Sequence, residues 1–359
     1  MMAKPWRKKS LTPRRRIVAW SLFVMVFCLL AIPMGLSLYS DIGYAATAQE
    51  QSNPRANFWR AVRQGSIGYS AVKGQEANVL IQSGGQNWRQ VRNGWLIPYS
   101  GYLLIAMIAL FALYFMFKGR IPIEGGRSGK EITRTTSTER WIHWFTAVVF
   151  ILLALTGLIL LYGRTVLIPI MGPEAFAAMA DVGITVHNYL GVLFILAMVL
   201  TIISFFRDSL FNLKVDMTWF SKAGGYLGGS KPSSEKYNAG QKAWYWTVVI
   251  MGVILCVTGL ILDFPNLEQN RGTMQLANII HVLASAIVIA FFLVHIYLAA
   301  IGIEGALEAM ISGKVDENWV KQHHDLWYEE LQKSGQRATA AEGKRAANEA
   351  RSLPDSQTT

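Results

Sequence analysis

Six uncharged apolar runs constrain this chain more than any other feature: Ile17–Tyr39, Trp95–Phe117, Trp144–Gly163, Ile184–Phe206, Ala243–Leu262 and Leu276–Ile303. Each is near or above the roughly 20 residues a helix needs to cross a hydrocarbon core. Backbone in lipid has no water to satisfy its N–H and C=O groups, so each run is expected to be helical. Pro33, Pro98 and Gly157 fall inside these runs, where they are tolerated better than in a soluble helix. The charged fraction is 16%, against about 25% for an ordinary soluble domain. The net charge of +11 does not indicate a nucleic-acid partner. Lys and Arg cluster between the apolar runs, and no basic stripe with interleaved aromatics lies on a polar helix.

The basic clusters orient the chain. The first 16 residues carry seven Lys or Arg, which keeps that end cytoplasmic by the positive-inside rule. Residues 1–39 then comprise a cytoplasmic N-terminus and a first span, either a retained anchor or a signal peptide cleaved near Ala46-Thr47-Ala48. Residues 40–94 form an external, periplasmic segment in which "EANVLIQ" has the pattern of a strand, and 95–117 the second span. Residues 118–140 form a cytoplasmic loop with six basic residues, 141–303 a four-helix domain, and 304–359 a cytoplasmic tail. Within the four-helix domain, Arg207–Lys242 carries six basic residues and is inner, whereas Arg164–Gly183 and Asp263–Gln275 carry one each and are outer loops. No internal repeat is evident. The tail from Ser334 is rich in Ala, Glu, Lys and Arg and is expected to form no packed core.

Four of the six histidines, His143, His187, His281 and His295, fall in or at the edge of the last four runs. Ionisable groups inside a membrane are costly and usually functional. Alternating orientation puts His187 and His281 near the outer face and His143 near the inner face. His295 follows His281 by 14 residues, about 21 Å deeper and close to four whole turns later, so both point to one side of their helix. One helix thus offers an imidazole at each of two depths, with a partner at each depth from another helix. Zinc wants four ligands converging at one point; two pairs at two depths fit two haem b groups with bis-histidine ligation in an all-α membrane protein. Cys28 and Cys256 lie within apolar runs and no Cys-x-x-Cys-His occurs, which excludes covalent c-type attachment. Gly157, 14 residues after His143, faces the outer level, either for ordinary helix packing or to admit a flat macrocycle.

"EKYNAGQKAWYW" leads into the fifth run and sets Asn238, Gly240 and Gln241 at the inner interface. Amide groups and backbone N–H there suit the carbonyl oxygens of a quinone, although Asn-x-Gly is also a common turn. His323 and His324, beyond the last run, either take up protons or hold a loop.

"WIHW", "VHNYLGVLF", "KYNAGQK", the His-x13-His helix and "ISGKVDENWVKQHHDLWYEE" together resemble the cytochrome b556, or gamma, subunits of respiratory formate dehydrogenase, over roughly 139–331. The wider group includes the cytochrome b subunits of nickel-iron hydrogenase and thiosulfate reductase, which remain an alternative. The resemblance implies a four-helix di-haem b bundle, here preceded by one or two extra transmembrane helices and a small external segment. It assigns His187 and His281 to the outer haem iron and His143 and His295 to the inner. It places Asn238 and Gly240, with His295, at a menaquinone or ubiquinone. The implied partners are an alpha subunit with a molybdenum or tungsten pterin and a beta subunit with iron–sulfur clusters. No formate-oxidising site is expected on this chain. The implied location is the bacterial inner membrane, within membrane lipid. A reading from another class is a transporter whose histidines relay protons.

Overall fold

The computed structural model describes residue 60 and residues 63–64, 83–227, 230–265 and 269–335. The first apolar run, Cys28, the strand expected at "EANVLIQ" and the tail beyond 335 lie outside the described residues. Five helical segments are long and apolar enough to cross a membrane, and the chain is a multi-pass, all-α membrane protein. The described elements fall into two compact units, one formed by residues up to 120, 141–202 and 247–302, the other by residues 121–140, 203–246 and 303 onward.

The first unit contains the apolar helices. Helix α1 (Ser83–Gln90) passes through a π-helical turn (Val91–Leu96) into α2 (Ile97–Lys118). Pro98 directly follows the π-helical turn, within a helix that runs on without a break from 85 to 118. Helices α3 (Ser137–Val166) and α4 (Ile168–Phe205) follow. Thr136 and Glu139 begin α3 with a reciprocal capping box: Glu139 N–H donates to Thr136 Oγ1 at 3.2 Å and Thr136 N–H to Glu139 Oε2 at 2.6 Å. Gly101 leaves room for Tyr162, whose hydroxyl bonds Ser100 Oγ at 2.7 Å and joins α2 to α3.

Residues 164–183 differ from the outer loop expected of them. Most of this stretch is helical; it is interrupted by the turn at Leu167, where α3 gives way to α4, and by Gly172 (φ 82°, ψ 165°), just before Pro173. Gly172 supplies a left-handed φ and Pro173 opens a new first turn, after which "EAFAAMA" has the propensity to carry the helix straight into the apolar run. Glu174 and Asp181 lie within the helix, and the Gly-Pro pair marks a break one residue wide.

After α5 (Leu213–Ser221), helices α6 (Ala239–Asp263) and α7 (Arg271–Ile296) complete the set, with α7 running into a second π-helical turn (Tyr297–Gly302). Helix α7 buries Ala277, Ala284, Ala286 and Ala290; small residues let neighbouring backbones approach without help from the hydrophobic effect. Val149, Phe194, Ala197 and Met198 form a packed core between α3 and α4. Val148, Leu155, Val192, Val257 and Leu283 stay half exposed, as side chains facing lipid do.

The second unit is polar at its rim and aromatic within. Strand β1 (Glu131–Thr133) pairs antiparallel with β2 (Lys314–Asp316), Ile132 opposite Val315. Val315, Trp319, Val320 and Trp327 form the core with Ile123 and Ala309, contributed in part by the short helices α8 (Glu308–Ile311) and α9 (Glu317–His323). Asp316 caps α9 by accepting from Asn318 N–H at 2.8 Å, and its other oxygen accepts from Ser128 N–H at 2.8 Å. Division by chain order into a loop at 118–140 and a tail at 304–359 conceals this pairing, because strands of three residues are too short to show a period.

Candidate functional site

The first unit brings the four histidines together in two pairs. His187 on α4 and His281 on α7 have ring centroids 6.3 Å apart; His143 on α3 and His295 on α7 are 6.2 Å apart. Two imidazoles sharing one metal, with bonds of about 2.0 Å and about 1.15 Å from ring nitrogen to ring centre, have centroids roughly 6.3 Å apart. Among the described residues no group of three or more His, Cys, Asp or Glu converges on a point. Each pair therefore suits a metal that brings its remaining ligands with it, as iron in a macrocycle does.

The His187–His281 pair is held by two threonines in matching fashion. Thr156 Oγ1 bonds Leu152 O at 2.8 Å and His187 Nδ1 at 2.9 Å. Thr258 Oγ1 bonds Ile254 O at 2.7 Å and His281 Nδ1 at 2.9 Å. A hydroxyl has one proton, and a backbone carbonyl can only accept. Each threonine therefore donates to its own helix and accepts from an imidazole Nδ1–H. That fixes the proton on Nδ1 and leaves the Nε2 lone pair for a metal. The next residue in each helix is glycine. A Cβ on Gly157 would stand 3.3 Å from His187 Cε1, and one on Gly259 would stand 3.6 Å from His281 Cε1. The pentapeptide Thr-Gly-Leu-Ile-Leu builds both cradles, at 156–160 on α3 and at 258–262 on α6. Comparing the apolar runs with one another reveals this shared pentapeptide.

A cavity of about 370 Å³ adjoins this pair, lined mainly by apolar side chains and by Gly157, Gly191 and Gly259. Its mainly apolar, glycine-relieved lining suits part of a macrocycle. At the His143–His295 pair, His143 Nδ1 is buried and has no hydrogen-bond partner among the described residues.

The second unit holds the other residues singled out from sequence. Asn238 and Gln241 cap α6 reciprocally: Gln241 N–H donates to Asn238 Oδ1 at 2.9 Å, and Asn238 N–H to Gln241 Oε1 at 3.1 Å. Gly240 lies in the first turn of α6, whose N–H groups have no intrahelical acceptor, and a Cβ there would meet Trp219 at 2.7 Å. His324 is fully buried and its Nδ1–H donates to the Glu235 carbonyl at 2.7 Å, so it holds the loop before α6.

Two residues not singled out from sequence complete this loop. Lys242 is buried and pairs with Asp216 at 2.9 Å and Glu235 at 2.7 Å. Arg134 donates to Lys236 O at 2.7 Å and Gln241 Oε1 at 3.2 Å, with its guanidinium over the rings of Trp319 and Tyr237. Burial draws the Arg134 pKa down to about 10 and raises that of Tyr237 to about 12. A basic residue in an interfacial loop usually reads as topological charge, which is why neither stood out.

A membrane bundle that sets two imidazole pairs at the spacing of two rings sharing one metal is built as a b-type cytochrome. Residues 134–313, about half the chain, match the family described as prokaryotic cytochrome b561. The chain is 29% identical over 219 residues to the cytochrome b556 subunit of the nitrate-inducible formate dehydrogenase of Escherichia coli K12, covering 60% of this chain and 98% of the relative. It is 31% identical over 207 residues to a second formate dehydrogenase cytochrome b556 subunit of that strain, covering 56% and 94%. A formate dehydrogenase cytochrome b556 subunit of Haemophilus influenzae is 26% identical over 205 residues, covering 55% and 83%. The chain belongs to the prokaryotic cytochrome b561 family, alongside the formate dehydrogenase cytochrome b556 subunits, and is a membrane electron-transfer subunit. The family implies haem b.

Proposed function

We propose that this chain is the quinone-reducing membrane subunit of a formate dehydrogenase and holds two haem b groups, one between His187 and His281 and one between His143 and His295. The spacing of the two imidazole pairs carries this reading. When bound, haem b supplies one-electron chemistry. The protein's part is to present Nε2 atoms with the proton held on Nδ1 at Thr156 and Thr258, and to exclude water with an apolar lining. The partners are an alpha subunit bearing a molybdenum or tungsten pterin and a beta subunit bearing iron–sulfur clusters, on the periplasmic side of the inner membrane. Both termini are cytoplasmic if the first span is retained. Formate is oxidised on the alpha subunit.

Asn238 and Gly240, with His295, are the quinone residues in this reading, and that part rests on the resemblance. The capping box occupies the Asn238 amide oxygen, so the amide N–H and the Gly240 backbone N–H are the groups to donate to menaquinone or ubiquinone carbonyls. Electrons delivered to the inner side cost about 2.3 kcal/mol per charge per 100 mV of membrane potential, which stores part of the driving force.

The test uses membranes carrying the whole complex. With formate as donor, His187→Ala is expected to abolish quinone reduction while formate oxidation by a soluble artificial acceptor continues. Quinone reduction at the wild-type rate in His187→Ala would reduce the chain to a passive anchor and refute the reading.

A further inference from the structure

The cavity beside His187 and His281 has one feature that the axial ligands do not explain. Among its lining residues Arg92 is the single Arg or Lys, and it comes from α1–α2, outside the stretch 134–313 that matches the family. It is firmly positioned. Arg92 Nε donates to Asn278 Oδ1 at 3.2 Å, Nη1 donates to Asn93 Oδ1 at 3.0 Å, and the guanidinium lies 5.7 Å from the centre of the Trp88 ring. Nη2 has no partner among the described residues. Asn278 stands one turn before His281 on α7, so the Arg92–Asn278 bond ties the guanidinium to the helix that carries the histidine. Arg92 also lies in the π-helical turn Val91–Leu96. Such turns are rare, change where a side chain points, and occur disproportionately at functional sites.

A half-buried guanidinium at a mainly apolar cavity is stabilised by an anion that enters beside it. Asp263 also lines the cavity, and a carboxylate there adds to the demand for positive charge when a further anion enters. Haem b carries two propionates. A propionate is a planar carboxylate, the partner that the guanidinium fork matches best. We propose that Arg92 binds a propionate of the haem held by His187 and His281, so that the N-terminal extension completes the cofactor site of the bundle that matches the family. This rests on the haem assignment made above and extends it to a residue that the family match does not include.

The role has a definite electrostatic sign. A fixed positive charge beside the macrocycle favours the reduced iron, which carries one positive charge fewer than the oxidised form. Its removal lowers the midpoint potential of that haem.

The experiment is a spectroscopic redox titration of the intact complex, comparing wild type, Arg92→Gln and Arg92→Lys. The haem missing from His187→Ala identifies which band belongs to the outer pair. In Arg92→Gln that haem is expected to titrate at lower potential, or to be lost, with the other haem unchanged. Arg92→Lys should fall between wild type and Arg92→Gln, because it keeps the charge and loses the fork. Redox-difference infrared spectra with ¹³C-labelled propionates should show a carboxylate band that shifts in Arg92→Gln, a readout that a merely structural arginine would not move. Three results overturn the proposal: potentials and carboxylate bands of Arg92→Gln that match wild type, an effect confined to the other haem, or an Arg92→Lys variant indistinguishable from Arg92→Gln. A wild-type preparation without b-type bands would instead refute the haem assignment itself.

Discussion

Thr156 and Thr258 each spend one hydroxyl proton on their own helix and accept from an imidazole Nδ1–H. Valine at either position keeps the volume and removes the acceptor. Losing such an outer hydrogen bond costs about 10–100-fold in metal affinity, so Thr156→Val and Thr258→Val should shed one haem of the two on dilution, measured as the haem-to-protein ratio. Gly157→Leu should lose the same haem outright, because even a Cβ would stand 3.3 Å from the His187 ring. A different residue-scale effect belongs to the second unit. Burial first, then the charges of Lys231 and Arg134, hold His323 at about 3, against an ordinary 6.5. The unfolded chain therefore binds a proton that the folded one refuses, and stability is lost as pH falls from about 6.5 towards 3. The protection of α9 against hydrogen exchange, taken relative to the unfolded-chain rate at each pH, should fall over that window in wild type and less so in His323→Gln. An equal fall in both would remove His323 as the cause.

At the scale of elements, Lys242 links α6 to α5 through Asp216, with both side chains almost wholly buried. Lys242→Met leaves Asp216 as an unpaired buried carboxylate, at a cost of about 3–5 kcal/mol. Limited proteolysis should then open the 207–236 segment, and Asp216→Leu combined with Lys242→Met should restore part of the resistance. Unaltered proteolysis in Lys242→Met would show the pair to be dispensable. The apolar helices were readable from their uncharged runs, because lipid forces such runs to be helical. Their ends were less so: α4 continues through Glu174 and Asp181 because helical propensity outweighs scattered charge once Gly172 and Pro173 have turned the chain. The β1–β2 pair joins segments about 180 residues apart, and nothing local in either strand announces its partner. His143, His187, His281 and His295 were readable because spacing and depth suffice to pair them. Thr156 and Thr258 were not, because a threonine in an apolar helix normally bonds only its own backbone, and the second bond depends on the neighbouring helix.

For the whole molecule, the five apolar helices among the described residues and the placement of Lys and Arg predict a topology. Reporter fusions should place residues 118–140 and 207–242 on the cytoplasmic side and the Gly172–Pro173 break outside. A fusion at residue 172 active only in the cytoplasm would invert the assignment of the outer histidine pair. The central claim is that imidazoles from different helices share an iron two by two. The most direct measurement is haem and iron content of the four His→Ala variants, with the surviving haem identified by its optical and paramagnetic resonance signature. The account predicts that His187→Ala and His281→Ala lose one and the same haem, and that His143→Ala and His295→Ala lose the other. Loss of different haems within either pair, or full haem content in any of the four, would contradict it.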